Sequence, residues 1–232
     1  VKEGWKVFGI DIKYENNDAL GEVSNNKLFK PLVCDLASED EVYKSMNIIQ
    51  KEAQSIDALI ACAGILRLGE LSQMSIKDFD LIFNVNVRGL WLSVSQSMPM
   101  LKNASKISGT ARIVLLSSVS ALRPKINSGA YSASKAAVSQ LTRVLAVECA
   151  KDNILVNAIA PGTVDTPMVR EQSSPDKQGN WRPSGPSPLG RISNPDDIVK
   201  VIKFLLDDNS SYVTGTTIPV DGGTQAAFIP PI

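Results

Sequence analysis

The sequence predicts an α/β fold, a parallel sheet with helices over both faces. Apolar runs of strand length recur at 6–11, 28–33, 58–61, 112–117, 154–159 and 217–220, and segments of helical character alternate with them. Such alternation is the signature of a layered parallel sheet. With 232 residues and 44% hydrophobic content, the chain is also able to bury a sizeable core, read here as a single domain over 1–232.

In chain order, Val1-Lys2-Glu3-Gly4-Trp5 reads as the tail of a helix running straight into the first strand, which ends on Gly9-Ile10-Asp11. The second run ends before Cys34-Asp35-Leu36, and Ser38 is placed to cap a helix over 39–54. The strand at 58–61 opens onto Ala61-Cys62-Ala63-Gly64, and a helix over 78–102 carries Asn86 inside an otherwise apolar stretch. The strand at 112–117 stops at Ser118, and a helix over 131–150 follows. After 154–159 comes Pro161-Gly162 and then a long segment rich in Pro, Ser, Gly and Asn, with little apolar periodicity. Long loops at the carboxyl end of a parallel strand are places for ligands, so 163–190 reads as a substrate-covering loop; a plain surface insertion is the alternative. Asn194 and Pro195 start a last helix over 195–206.

Twenty-four basic and twenty-four acidic side chains balance, with no dense block of either sign, which argues against a nucleic-acid or anionic-membrane surface. Cys34, Cys62 and Cys149 sit widely spaced among apolar or small residues and fit neither a disulfide framework nor a metal site. They read as thiols of a reducing compartment. No stretch approaches the roughly 18 apolar residues of a membrane span, and no signal-peptide pattern opens the sequence. The expectation is a cytoplasmic protein with no membrane partner.

The chemistry centres on Tyr131 and Lys135. Positions i and i+4 share a helix face, so the ammonium lies beside the phenol and favours its ionised form. A phenol so perturbed becomes an acid/base usable near neutrality, and the chain has no histidine for that role. Ser118, at a strand's carboxyl end, is placed to hold the substrate oxygen. Taken singly, Ser118 is equally a strand-end hydroxyl and Lys135 a solvated helix face.

In sequence order, Asp11, Asp35-Leu36, Ala61-Cys62-Ala63-Gly64, Asn86-Val87-Arg88-Gly89, Ser118, the Tyr131/Lys135 pair and Pro161-Gly162 resemble the short-chain dehydrogenase/reductase family from residue 1 to about residue 224. The resemblance implies a Rossmann-like, doubly wound, three-layer αβα fold and an NAD(P)-dependent oxidoreductase with Asn86, Ser118, Tyr131 and Lys135 as catalytic residues. Ser118 would orient the carbinol or carbonyl oxygen, Tyr131 exchange its proton, Lys135 hold the cofactor ribose, and Asn86 complete a proton relay. Asp11 would accept the adenosine ribose hydroxyls and repel a 2′-phosphate, favouring NAD over NADP, although Lys13 is near and a strand-ending Asp is also an ordinary turn residue. Asp35 and Leu36 would meet the adenine, Ala63 and Gly64 allow close backbone approach, and Pro161, Gly162, Val164 and Thr166 face the nicotinamide. The family's Asn at position 61 is replaced by Ala. Its amino-terminal strand and glycine-rich turn have no counterpart here, which implies a longer parent chain and, for these residues alone, a slot between the strands ending at Asp11 and Ala61, poor folding and weak NAD binding.

Within the family, the stretch 63–71, Pro124-Lys125-Ile126 and Pro188-Leu189-Gly190-Arg191-Ile192 look like the 2,3-dihydro-2,3-dihydroxybenzoate dehydrogenases of catechol siderophore biosynthesis. Arg67, Arg123 and Lys125 would then meet the substrate carboxylate, with Met168 on the cover; solvated loop charges are the alternative. A 3-oxoacyl-thioester (acyl carrier protein) reductase, another sugar or polyol dehydrogenase, and a non-catalytic assembly member of the fold are the other readings. The helices over 78–102 and 131–150 carry more apolar residues than one buried face needs, which with the resemblance implies a homodimer or homotetramer, the end 228–232 meeting another subunit.

Overall fold

The computed structural model describes residues 1, 3–14, 23, 25–172 and 187–227. Strands β1 (Val7–Asp11) and β2 (Phe29–Val33) pair in parallel. Helix α1 (Glu39–Glu52) follows, capped by the Ser38 hydroxyl, which accepts the Glu41 amide, with three acidic residues in its first turn to complement the helix dipole. Strand β3 (Ala58–Ala61) opens a second parallel sheet, completed by β4 (Ala111–Leu116), β5 (Ile154–Pro161) and β6 (Thr217–Val220) in the order β3-β4-β5-β6. Among the described residues no hydrogen bonds join β1 to β3 and each keeps one edge without a strand partner, the slot expected from the sequence.

Two helices occupy the predicted 78–102: α2 (Ile76–Phe83) and α3 (Leu90–Ser108), joined by a π-helical turn at Asn84–Gly89. Helix α4 (Gly129–Cys149) carries Tyr131 and Lys135 in its first turns. A short helix α5 (Pro167–Gln172), not visible as periodicity, lies within the proposed cover, whose residues 173–186 fall outside the described ones, as do 228–232. In α6 (Pro195–Leu206) the Asp197 carboxylate accepts the Asn194 amide at 2.9 Å, an N-terminal cap that Pro195 extends.

Alternation along β4 explains the layering. Ile113 and Leu115 pack against Leu90, Val94 and Leu101 of α3 and Val138 and Ala146 of α4, whereas Val114 faces Ile198, Ile202 and Leu205 of α6. A third cluster sets Leu32 and Cys34 with Val42, Met46 and Ile49 of α1 against Leu92 and Met100 of α3. Helix α3 therefore covers both sheets and ties them to one another. No helix among the described residues is long and apolar enough to cross a membrane.

Candidate active site

The carboxyl ends of β3, β4 and β5 and the start of α4 bring the predicted residues together. Ser118 follows β4 in extended conformation and caps a short 3₁₀ turn, accepting from the Ser120 amide at 3.2 Å and its hydroxyl at 3.0 Å. The Tyr131 phenol lies beside it, near enough for the Ser118 hydroxyl to favour the ionised phenol. The lowered phenol pKa expected from the Lys135 charge is not found: burial pushes it above its ordinary value, and the Ser118 hydroxyl draws it back. Lys135 is buried, its Nζ 5.8 Å from the centre of the Tyr131 ring and donating to the Leu116 carbonyl at 2.7 Å. Burial pushes the ammonium down to about 8, against the opposing pull of the Cys62 thiol. The same burial raises the Cys62 thiol to about 11, against the Lys135 charge, although its surface still reaches solvent.

Helix and strand are fastened below this group. The Ser117 hydroxyl donates to the Lys135 carbonyl at 2.8 Å and lies 2.8 Å from the Ser139 hydroxyl, which fixes β4 against α4 and so Ser118 against Tyr131. Asn86 is fully buried in the π-helical turn. Its Oδ1 accepts the Ile65 amide at 2.8 Å, and its Nδ2 donates to the Ile65 carbonyl and to the Ser134 hydroxyl, both at 3.0 Å. The tether that Ala61 cannot provide from β3 thus comes from the neighbouring helix. Gly64 is required here: a Cβ would sit 3.2 Å from Lys135 Nζ and 3.3 Å from Asn86 Oδ1.

At the other sheet, Asp11 ends β1 exposed, bonded only weakly to the Lys13 amide at 3.4 Å. The Asp35 carboxylate accepts the Ala37 amide at 2.8 Å, so it shapes its own turn after β2. Gly89 lets the π-helical turn press on Leu36, where a Cβ would stand 2.5 Å from the Leu36 carbonyl oxygen. Beyond β5, Gly162 packs on Asp221, Val164 bridges to Ser193, and the Thr166 hydroxyl donates to the Val164 carbonyl at 3.4 Å. Ala63 is exposed beside Cys62.

The three predicted substrate cations differ. Arg67 is exposed, 4.0 Å from Asp78. Arg123 donates to the Thr224 and Ala227 carbonyls at 2.8 and 3.2 Å, clasping the segment after β6. Lys125, half-buried in the loop before α4, has its ammonium pushed down to about 8 by burial. Met168 lies partly exposed on α5. Sequence reasoning missed Ser134, Ser117, Ser139 and the Ile65 backbone. The one signal, for Ser134 and Ser139, was a run of small polar residues on an apolar helix, which only the buried partners convert into a network.

The family described as Enoyl-(Acyl carrier protein) reductase matches residues 1–225. The chain is a short-chain dehydrogenase/reductase. Among its relatives, a 3-oxoacyl-[acyl-carrier-protein] reductase of Thermotoga maritima is 36% identical over 225 residues, 96% of this chain and 88% of that protein. The 2,3-dihydro-2,3-dihydroxybenzoate dehydrogenase of Escherichia coli is 32% identical over 231 residues, 97% of this chain and 88% of that one. The 3-ketoacyl-(acyl-carrier-protein) reductase of Brucella melitensis, solved with NADH, superposes with a TM-score of 0.82 at 27% identity, covering 97% of this chain and 89% of its own. This dehydrogenase/reductase is accordingly an NAD(P)-dependent oxidoreductase.

The residues present fit a nicotinamide cofactor on two observations. The buried Lys135 ammonium has three N–H donors and one acceptor among the described residues, the Leu116 carbonyl, which leaves two donors for ribose hydroxyls. Gly64, without a Cβ, lets its backbone close on the Lys135 ammonium that would hold the ribose.

Proposed function

We propose that this short-chain dehydrogenase/reductase is an NAD-linked alcohol dehydrogenase whose substrate is 2,3-dihydro-2,3-dihydroxybenzoate, oxidised to the catechol in siderophore assembly. The observation that carries the chemistry is the convergence of Ser118 and the Lys135 ammonium on Tyr131, with Nζ 5.8 Å from the centre of the phenol ring. Ser118 orients the substrate oxygen, and Tyr131, ionised ahead of the transfer, takes the carbinol proton as general base. Lys135 holds the ribose through its two uncommitted N–H groups. Asn86 keeps the Gly64–Ile65 backbone against that lysine. Nicotinamide, when bound, supplies the hydride acceptor at its C4.

Support for NAD over NADP is the exposed Asp11 carboxylate at the end of β1, where a 2′-phosphate would meet like charge. Support for the diol carboxylate is the likeness of 63–71 to enzymes of that class, together with the relative that is 32% identical over nearly the whole chain. The cations proposed for the carboxylate are Arg67, Arg123 and Lys125, of which Arg123 also donates to two backbone carbonyls. A second reading, reduction of a 3-oxoacyl thioester, is favoured by the relative that is 36% identical. Support for self-association is an apolar groove of about 510 Å³ between α3 and α4, lined by Trp91, Val94, Met98 and Leu145.

The test is NADH formation by the full-length protein given the diol, with NADP and an acetoacetyl thioester alongside. NAD-selective turnover of the diol supports the proposal. Thioester reduction with no diol oxidation replaces it with the second reading.

A further inference from the structure

Ser134 lies fully buried on α4, three residues after Tyr131 and one before Lys135. Its hydroxyl donates its single proton to the Tyr131 carbonyl at 2.7 Å. With that proton committed, the oxygen faces Asn86 only as an acceptor, and it takes an Nδ2 proton at 3.0 Å. The other Nδ2 proton goes to the Ile65 carbonyl, while Oδ1 accepts the Ile65 amide. The two ends of the Asn86 amide are therefore not interchangeable. A flipped amide would set Oδ1 against a lone pair of Ser134 and Nδ2 against the Ile65 N–H. Asn86 and Ser134 are both wholly shielded from solvent, so water cannot replace a lost bond.

We propose that Ser134 is a positioning residue for the cofactor: it locks the Asn86 amide in one orientation, and the locked amide holds the Gly64–Ile65 backbone over the Lys135 ammonium. The close approach of Gly64 to both Asn86 Oδ1 and Lys135 Nζ makes the three groups one contact set, so loosening the amide loosens the backbone that covers the lysine. The functional half of this inference rests on the reading of Gly64 and Lys135 as cofactor-holding groups.

Two measurements on the full-length protein test it: hydrogen exchange of the Ile65 amide, and NADH affinity by fluorescence titration. In Ser134→Ala, Ile65 exchange should quicken and NADH affinity fall, each by about tenfold, the equivalent of one lost buried hydrogen bond. Ser134→Cys keeps the shape but weakens the acceptor, should move both readouts the same way, and stands in should the alanine variant not fold. Thr142→Val is the matched control: Thr142 is equally buried on α4 and its hydroxyl donates to the Val138 carbonyl at 2.9 Å. It should lose comparable thermal stability while leaving Ile65 exchange and NADH affinity at wild-type values. Ser134 variants indistinguishable from Thr142→Val in both readouts overturn the proposal. Wild-type NADH binding by Lys135→Met would instead overturn the cofactor reading beneath it, while Ile65 exchange continues to judge the lock.

Discussion

Tyr131 and Lys135 show how far single residues were legible. Their spacing announced a shared helix face, and the structure sets Nζ against the ring. What the spacing could not show is that burial dominates both groups, raising the phenol and lowering the ammonium. Replacing Tyr131 by Phe removes the proton-transfer group and little else. Turnover should fall about a thousandfold, with NADH affinity and melting temperature near wild type, measured by steady-state kinetics and calorimetry. Lys135 carries the opposite signature. Its folded pKa of about 8 lies below the ordinary lysine value of 10.5, so the cost of burying the charge is present in full below pH 8 and is relieved as pH rises toward 10.5. Lys135→Met should therefore abolish NADH binding yet stabilise the fold at neutral pH, by on the order of 2 kcal/mol. That gain should shrink through the window from about 8 to 10.5. Denaturation midpoints at neutral and alkaline pH check the sign, and a gain that grows with pH would contradict it.

At the scale of elements, strands were the most readable because their apolar runs end abruptly at Asp11, Ala61 and Ser117. The helix expected over 78–102 was harder. Asn86 in an otherwise apolar stretch is the one local mark of the π-helical turn at Asn84–Gly89. Its cause is tertiary: Asn86 must reach Ile65 and Ser134, and Gly89 must let the backbone meet Leu36. Gly89→Ala tests that cause. In an ordinary helix the change would be stabilising by up to about 1 kcal/mol. Here the added carbon would stand 2.5 Å from the Leu36 carbonyl oxygen and 2.9 Å from its Cβ. Backbone cannot move aside as a flexible side chain does, so the protein should lose about 1–3 kcal/mol. NADH affinity should fall with it, because the displaced turn carries Asp35 and Leu36. Chemical denaturation and NADH titration measure the two effects.

Across the fold, the division of the described strands into β1-β2 and β3-β4-β5-β6 was legible in the sequence as strands that flank a gap. The proposed association surface was legible only as an excess of apolar residues on two helices. Coordinates convert that excess into a face. Trp91 is 48% exposed and Val147 79% exposed, while Val94 and Leu145 line the groove between α3 and α4. Helix α3 also carries the inner faces of both sheets, through Leu90 and Leu101 toward one and Leu92 and Met100 toward the other. Its outward apolar side chains are therefore surplus to the monomer's core. A two-fold contact would bury each of them twice, and each large apolar side chain removed from water contributes about 1.5–3 kcal/mol. Trp91→Glu or Val147→Glu would place a pair of carboxylates in that contact without entering the monomer core. Each variant should elute as a smaller species than wild type by size-exclusion chromatography with light scattering, its circular dichroism unchanged. An unaltered mass in both variants would show that this face stays in water, and that its apolar residues need another explanation.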